Sequence, residues 1–316
     1  MNRIFCIVWL SLVWVNVNMA QQVDEYRFNF DNYFLRNPAA LSVWNQSEAG
    51  VFYQKAFTAV TNAPVNMFAA GQFGIPNQAA SVGIGLMNES AGVLRNTSIS
   101  ISSSYKLLNI LRTGDFLAGG LNISFNQIGV NGALIEANDI TDPLVSTNLE
   151  TGISANVGFG VYYSSIRVME KRRPSTNFQA GLAMVKALPT NINLESVSFR
   201  ERYMLNSLLR IQSSLNENFS IYGQADFQYE GKGLLNAIFS AKALLANIVI
   251  IGGSYDTFNT LGFMGGVRLE DMLGSDTETD IFFQANIPMG TIDNFINTGY
   301  GIGIQYRYLG NQFTRF

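Results

Sequence analysis

Residues able to do chemistry are few in this chain, and they are scattered. Two carboxylate groups stand out: Glu136, Asp139 and Asp142, and later Asp276, Glu278 and Asp280. Oxygen ligands so grouped could hold calcium, but neither group has EF-hand spacing, and a solvated turn accounts for both. There is no histidine, and Cys6 is the only cysteine. A Ser-His-Asp or Cys-His nucleophile system therefore has no parts to build from, and zinc sites of nitrogen and sulfur ligands are excluded. Gly262-Phe263-Met264-Gly265-Gly266 and Gly299-Tyr300-Gly301 are glycine-rich but open no helix. They fit close packing or wall curvature better than a phosphate cradle. The strongest basic run is Arg167, Lys171, Arg172 and Arg173, just before Pro174. It suits either docking of an acidic partner or a solvated loop beside lipid headgroups. The residues point to no enzyme activity, no metal and no cofactor.

What must position these residues is a succession of strands. In residues 96–126, Ile99, Ile101, Tyr105 and Leu107 alternate with Ser98, Ser100, Ser102, Ser104 and Lys106. After a polar break at 112–115, Leu117, Leu121, Ile123 and Phe125 alternate with Ala118, Gly120, Asn122, Ser124 and Asn126. A period of two gives a strand with two unlike faces. Here one face is apolar and the other carries small uncharged polar groups, as a membrane barrel with a wet lumen requires. Charged residues make up only 14% of the chain, against roughly 25% in soluble domains. The net charge of −3 speaks against nucleic acid as a partner.

Runs of this kind recur from residue 50 to residue 308 and number about fourteen, so the expected fold is an all-β transmembrane antiparallel barrel of outer-membrane type. The stretch 234–253 is apolar enough for a membrane helix, but it contains Lys242, and Ala246-Asn247 reads as a hairpin turn between two strands. The last strand, with Tyr300, Ile302, Ile304, Tyr306 and Tyr308 on one face, is expected to pair with the first and close the wall. Inward charges such as Lys106, Asp226 and Arg307 are expected to form structural ion pairs. Residues 1–20 read as an export signal, with Arg3 ahead of an apolar core and cleavage near Ala20. Residues 21–48 read as a periplasmic or plug-like segment, and 49–316 as the barrel. With both termini periplasmic, the connections at 88–95, 127–148, 189–201 and 288–298 face outward, and the basic and acidic loops face the periplasm.

Residues 28–41 read FNFDNYFLRNPAAL. This stretch, with its Asn37-Pro38-Ala39 core, resembles the start of the PorP/SprF family of type IX secretion and gliding proteins of Bacteroidetes. Further matches follow in order: 50–55 with Pro64, Gly83-Ile84-Gly85 then Glu89-Ser90-Ala91-Gly92, Asp142-Pro143, 158–163, and Gly253-Ser254-Tyr255-Asp256. Departures occur at Ala40-Leu41-Ser42, at residues 54–57 and at Leu269-Glu270. The resemblance covers nearly all of the chain beyond the signal. It implies an outer-membrane barrel that contacts lipid, binds or helps export and anchor a secreted adhesin or its C-terminal domain, and meets periplasmic secretion components. Asn-Pro-Ala-Ala-Leu also occurs near the start of FadL-like barrels, which implies the alternative of a transporter for hydrophobic solutes.

Overall fold

A computed structural model describes residues 32–309, apart from 42, 44–45, 59, 77, 135–148, 166–173, 189–190, 195–196, 201, 217, 232–233 and 290–297. The export signal, the basic residues Arg167, Lys171, Arg172 and Arg173, and the carboxylates Glu136, Asp139 and Asp142 lie outside the described residues.

The strands are β1 (Ser47–Lys55), β2 (Val65–Gly74), β3 (Ala80–Ala91), β4 (Leu94–Leu108), β5 (Phe116–Val130), β6 (Leu149–Glu150), β7 (Ser154–Ser164), β8 (Ser175–Met184), β9 (Asn191–Leu194), β10 (Val197–Arg200), β11 (Met204–Asn216), β12 (Phe219–Glu230), β13 (Leu234–Leu245), β14 (Val249–Asp256), β15 (Thr260–Glu270), β16 (Thr277–Pro288) and β17 (Gly299–Tyr308). Fourteen of them close into an antiparallel barrel, with β17 paired to both β16 and β1. The short β6 adds to the end of β5, and β9 with β10 forms a separate two-stranded sheet.

Alternation sets the two faces of the wall. Ile101 is 56% exposed and Tyr105 59%, whereas Ser102 and Lys106 are 2% and 3% exposed. The same parity holds at the closing strand, where Ile302 and Ile304 point out while Gln305 and Arg307 are buried inside. Closure leaves no strand edge in the bilayer, where an unpaired backbone group has no water to turn to. The expected hairpin at Ala246-Asn247 is present. Both residues have positive φ, 52° and 55°, and Ile248 N–H donates to Leu245 O at 3.0 Å. This is the turn geometry that matches strand twist.

Two sequence expectations need correcting. Residues 88–95 are not a loop: β3 runs through Ala91, β4 starts at Leu94, and Glu89 pairs with Asn96 across the ladder. The polarity there marks the end of the lipid-facing belt, not of the strand. Outward Val82, Ile84 and Leu86 give way to Asn88, whose Nδ2 donates to Thr97 Oγ1 at 3.0 Å. Nor is the inner face polar throughout. Leu244, Ile250, Met264 and Phe282 form a buried apolar cluster against Phe52, and Phe68 and Ala70 form another with Phe34 and Leu41. Phe52 stacks on Phe68 at 4.2 Å and lies 5.5 Å from Phe282.

The β4–β5 turn is organised by Asp115. Its carboxylate accepts from the backbone N–H of Ile110 (2.8 Å), Leu111 (3.0 Å) and Arg112 (3.0 Å) and from Tyr163 Oη–H (3.2 Å). Burial pushes its pKa up, but these donors outweigh that and hold it below the usual carboxylate range. A depressed carboxylate stabilises the fold above its unfolded pKa of about 4, and that contribution is lost as pH falls through the folded value. Asp115→Ala is therefore expected to speed hydrogen exchange at Ile110, Leu111 and Arg112 at neutral pH. Acidification of the wild type below about pH 4 should begin to reproduce that effect.

Candidate functional site

The inner wall holds a short folded segment of the chain's own N-terminal region. Its first element is a 3-10 turn at Tyr33–Leu35 and its second a 3-10 turn at Pro38–Ala40. Asn37 caps the second turn. Its side-chain oxygen accepts from Ala39 N–H at 3.0 Å, and Pro38 follows where a missing N–H costs nothing. Tyr33, Phe34, Asn37, Ala39 and Leu41 are all buried. The expected motif residues Asn37, Pro38 and Ala39 thus come together as one turn against the wall.

The wall is shaped to receive them. A Cβ at Gly120 on β5 would stand 2.6 Å from Ala39 Cα, and one at Gly181 on β8 would stand 2.7 Å from Asn37 Nδ2. Gly160 on β7 faces the same side chain, with Asn37 Cγ 3.1 Å from where its Cβ would be. In this notch Asn37 Nδ2 donates to Val161 O at 3.0 Å. Asn206 on β11 donates to Arg36 O at 3.0 Å, and Asn32 donates to Gln305 on β17 at 2.7 Å. Below the turn, Tyr162 is fully buried near Phe116 and Tyr33, and its hydroxyl donates to Gln179 at 2.7 Å. The Arg210 guanidinium lies over the Tyr33 ring at 5.8 Å, and its Nε donates to Gln224.

Asn32 and Gln305 lead into a second structure, a ladder of buried charge across β1, β17, β16 and β15. Register places Glu48 opposite Arg307, Arg307 opposite Glu278, and Asp280 opposite Arg268. Arg268 grips Asp280 with two bonds, 2.7 and 2.9 Å, and Arg307 Nη1 reaches the same carboxylate at 2.8 Å. Arg268 also meets Glu278 at 3.2 Å, and Arg307 meets Glu278 and Glu48 at 3.7 Å. Gln72 and Gln305 donate to Glu48 at 2.7 and 3.2 Å. Gln46 also bonds Glu48.

The ladder decides what the acidic group at 276–280 does. Glu278 and Asp280 turn inward to guanidinium partners, while Asp276 stays in the exposed β15–β16 turn, where its N–H donates to Asp271. Among the described residues no group of three His, Cys, Asp or Glu side chains could hold a metal ion. Of the inward charges expected to pair, Arg307 meets Glu48, Glu278 and Asp280, and Asp226 lies within electrostatic reach of Arg36 and Arg210. Lys106 lies 5.5 Å over the Phe116 ring, and Asp226 bonds Gln224. Glu278 and Asp280 stand out in the sequence only as a possible calcium group, and Glu48, Arg268 and the socket glycines do not stand out at all, because only register brings them together.

Comparison with known proteins places this architecture. Two solved structures are similar in fold. One is described as a CymD monoaromatic hydrocarbon channel, with TM-score 0.52 and 10% identity, covering 89% of this chain and 93% of that one. The other is a Pseudomonas aeruginosa FadL homologue, with TM-score 0.51 and 10% identity, covering 89% and 95%. At that identity the likeness is one of fold alone. No curated protein matches the chain. The family model described as type IX secretion system membrane protein PorP/SprF matches residues 18–307, which takes in the Asn37 turn, its socket and the charge ladder. On that match the chain belongs to the PorP/SprF family of type IX secretion system membrane proteins.

Proposed function

We propose that this barrel sits in the outer membrane after cleavage of a leader near Ala20, and that it binds a secreted surface protein. That partner is an adhesin or its C-terminal domain, which the barrel helps to export or anchor. Its role is binding, not catalysis. The observation that carries the reading is the division between interior and ends. The lumen is occupied by residues 32–41 and crossed by the charge ladder. The end away from Ser47 and Tyr308 bears the long connections 131–153, 185–203 and 289–298, the second of which carries the β9–β10 hairpin. With the termini in the periplasm, those connections face outward and the basic run Arg167, Lys171, Arg172 and Arg173 faces envelope components of acidic character.

The alternative is passage of hydrophobic solutes, as in FadL-like barrels. The apolar patch of Phe52, Phe68, Leu244, Ile250, Met264 and Phe282 favours it. That patch is bounded on one side by the charge ladder and on the other by the amides Gln54 and Gln284, which bond each other at 2.9 Å. A continuous apolar path would have to cross both.

Deleting the gene tests the reading. Proteins shaved from intact cells and those in the medium are compared between parent and deletion strain. Loss of a secreted protein from the cell surface is expected, with its accumulation in the medium or the periplasm. An unchanged surface profile would count against the proposal.

A further inference from the structure

We propose that residues 32–41 are a latched stopper: Asn37, seated between Gly160 and Gly181, holds the segment in the lumen, and releasing it opens a hydrated pore. This goes beyond the partner-binding role and does not depend on it.

The first observation is that the segment is a separate body fitted to the wall. Among the described residues, its backbone–backbone hydrogen bonds, from Leu35, Arg36, Asn37 and Ala40, end within it. It joins the wall instead through side chains: Asn37 to Val161 O, Asn206 to Arg36 O, and Asn32 to Gln305. Such a body can leave without breaking the barrel ladder. The fit is one-sided. Gly120 has no room for a Cβ beside Ala39, whereas a Cβ on its neighbour Gly119, on the lipid face, meets nothing within 4 Å.

The second observation concerns the wall that would remain. Ser240 on β13, Ser254 on β14 and Asn286 on β16 face inward and are 8%, 6% and 5% exposed. Their side-chain polar atoms have no hydrogen-bond partner among the described residues. Buried groups of this kind are ordinarily satisfied by water. A barrel of fourteen strands is also wider than the eight-stranded kind that its own side chains can fill. Without the segment the interior is therefore a partly polar opening, with water on these groups and the apolar patch on one side of it.

The test is potassium chloride conductance of the full mature chain in planar bilayers, with folding of each variant checked by heat-modifiable gel migration. The wild type is expected to be nearly silent. Asn37→Leu removes the Val161 bond and overfills the notch, and Gly120→Val drives a side chain into the Ala39 backbone. Both are expected to raise conductance by at least an order of magnitude, with stepwise openings. Gly119→Val should stay as silent as the wild type. If Gly120→Val does not fold, Asn37→Leu, which leaves every wall residue in place, decides alone. Wild-type conductance equal to that of the variants would overturn the proposal, as would folded Asn37→Leu protein as silent as Gly119→Val.

Discussion

Arg307→Met is expected to destabilise the barrel by about 3–5 kcal/mol, the usual cost of leaving buried charge without its partner. Arg307 is 4% exposed and stands among Glu48, Glu278 and Asp280. Removing it takes a guanidinium from all three carboxylates, while Arg268 still meets Glu278 and Asp280. The damage falls on the closing strand, because Arg307 lies opposite Glu48 on β1 and opposite Glu278 on β16. Unfolding in detergent, followed by loss of the heat-modifiable band as temperature or urea rises, gives the size of the effect. Glu48→Gln added to Arg307→Met should recover part of the loss, since it removes one of the buried charges that faced Arg307, and the double-mutant cycle isolates that coupling. Arg307→Lys should rescue only in part, because an ammonium lacks the planar fork that reaches two carboxylates at once. Arg307→Met protein as stable as the wild type would remove the ladder from the account of how the barrel closes.

The second large effect is expected at Gly303. It sits between Phe52 on β1 and Phe282 on β16, in register with both. A Cβ there would stand 2.6 Å from Phe52 Cδ1 and 2.7 Å from Phe282 Cε2. Either ring can give way only by disturbing its own packing, since Phe52 is stacked on Phe68 and Phe282 packs with Met264 and Ile250. Gly303→Val should cost about 1–3 kcal/mol through overpacking. Ile302→Val, one residue away on the lipid face, should change little. Equal stability of the two variants would mean that the aromatic row yields freely and does not fix the seam.

The contrast between residues 302 and 303 also marks what the sequence can disclose. Faces were legible wherever apolar and polar residues alternate, as at 98–107 and 299–308, and from them came the number of strands and the closure of the last onto the first. Faces were hidden where both are apolar. Val51-Phe52-Tyr53 and Ile281-Phe282-Phe283 give no hint that the middle residue turns inward, so the apolar patch in the lumen could not be foreseen. Strand ends were misread at 88–95 because polarity there reports the edge of the membrane, while the ladder continues into water. The Asn37 turn was legible as a motif but its socket was not. Gly120, Gly160 and Gly181 look like ordinary strand glycines until register brings them around the Asn37-Pro38-Ala39 turn. The ladder is invisible for the same reason, since Glu48 and Arg307 stand at opposite ends of the chain.

The partner-binding role is tested most directly by capture. Purified barrel is immobilised and exposed to extract from cells whose surface proteins were biotinylated while intact. Retention of a biotinylated secreted protein is expected, with direct binding of its purified C-terminal domain. Both should be lost when residues 189–201 are replaced by a short Gly-Ser linker in a barrel that still shows heat-modifiable migration. Recovery of no secreted or envelope partner, together with loss of hydrophobic-solute uptake in the deletion strain, would contradict the account and favour a transporter.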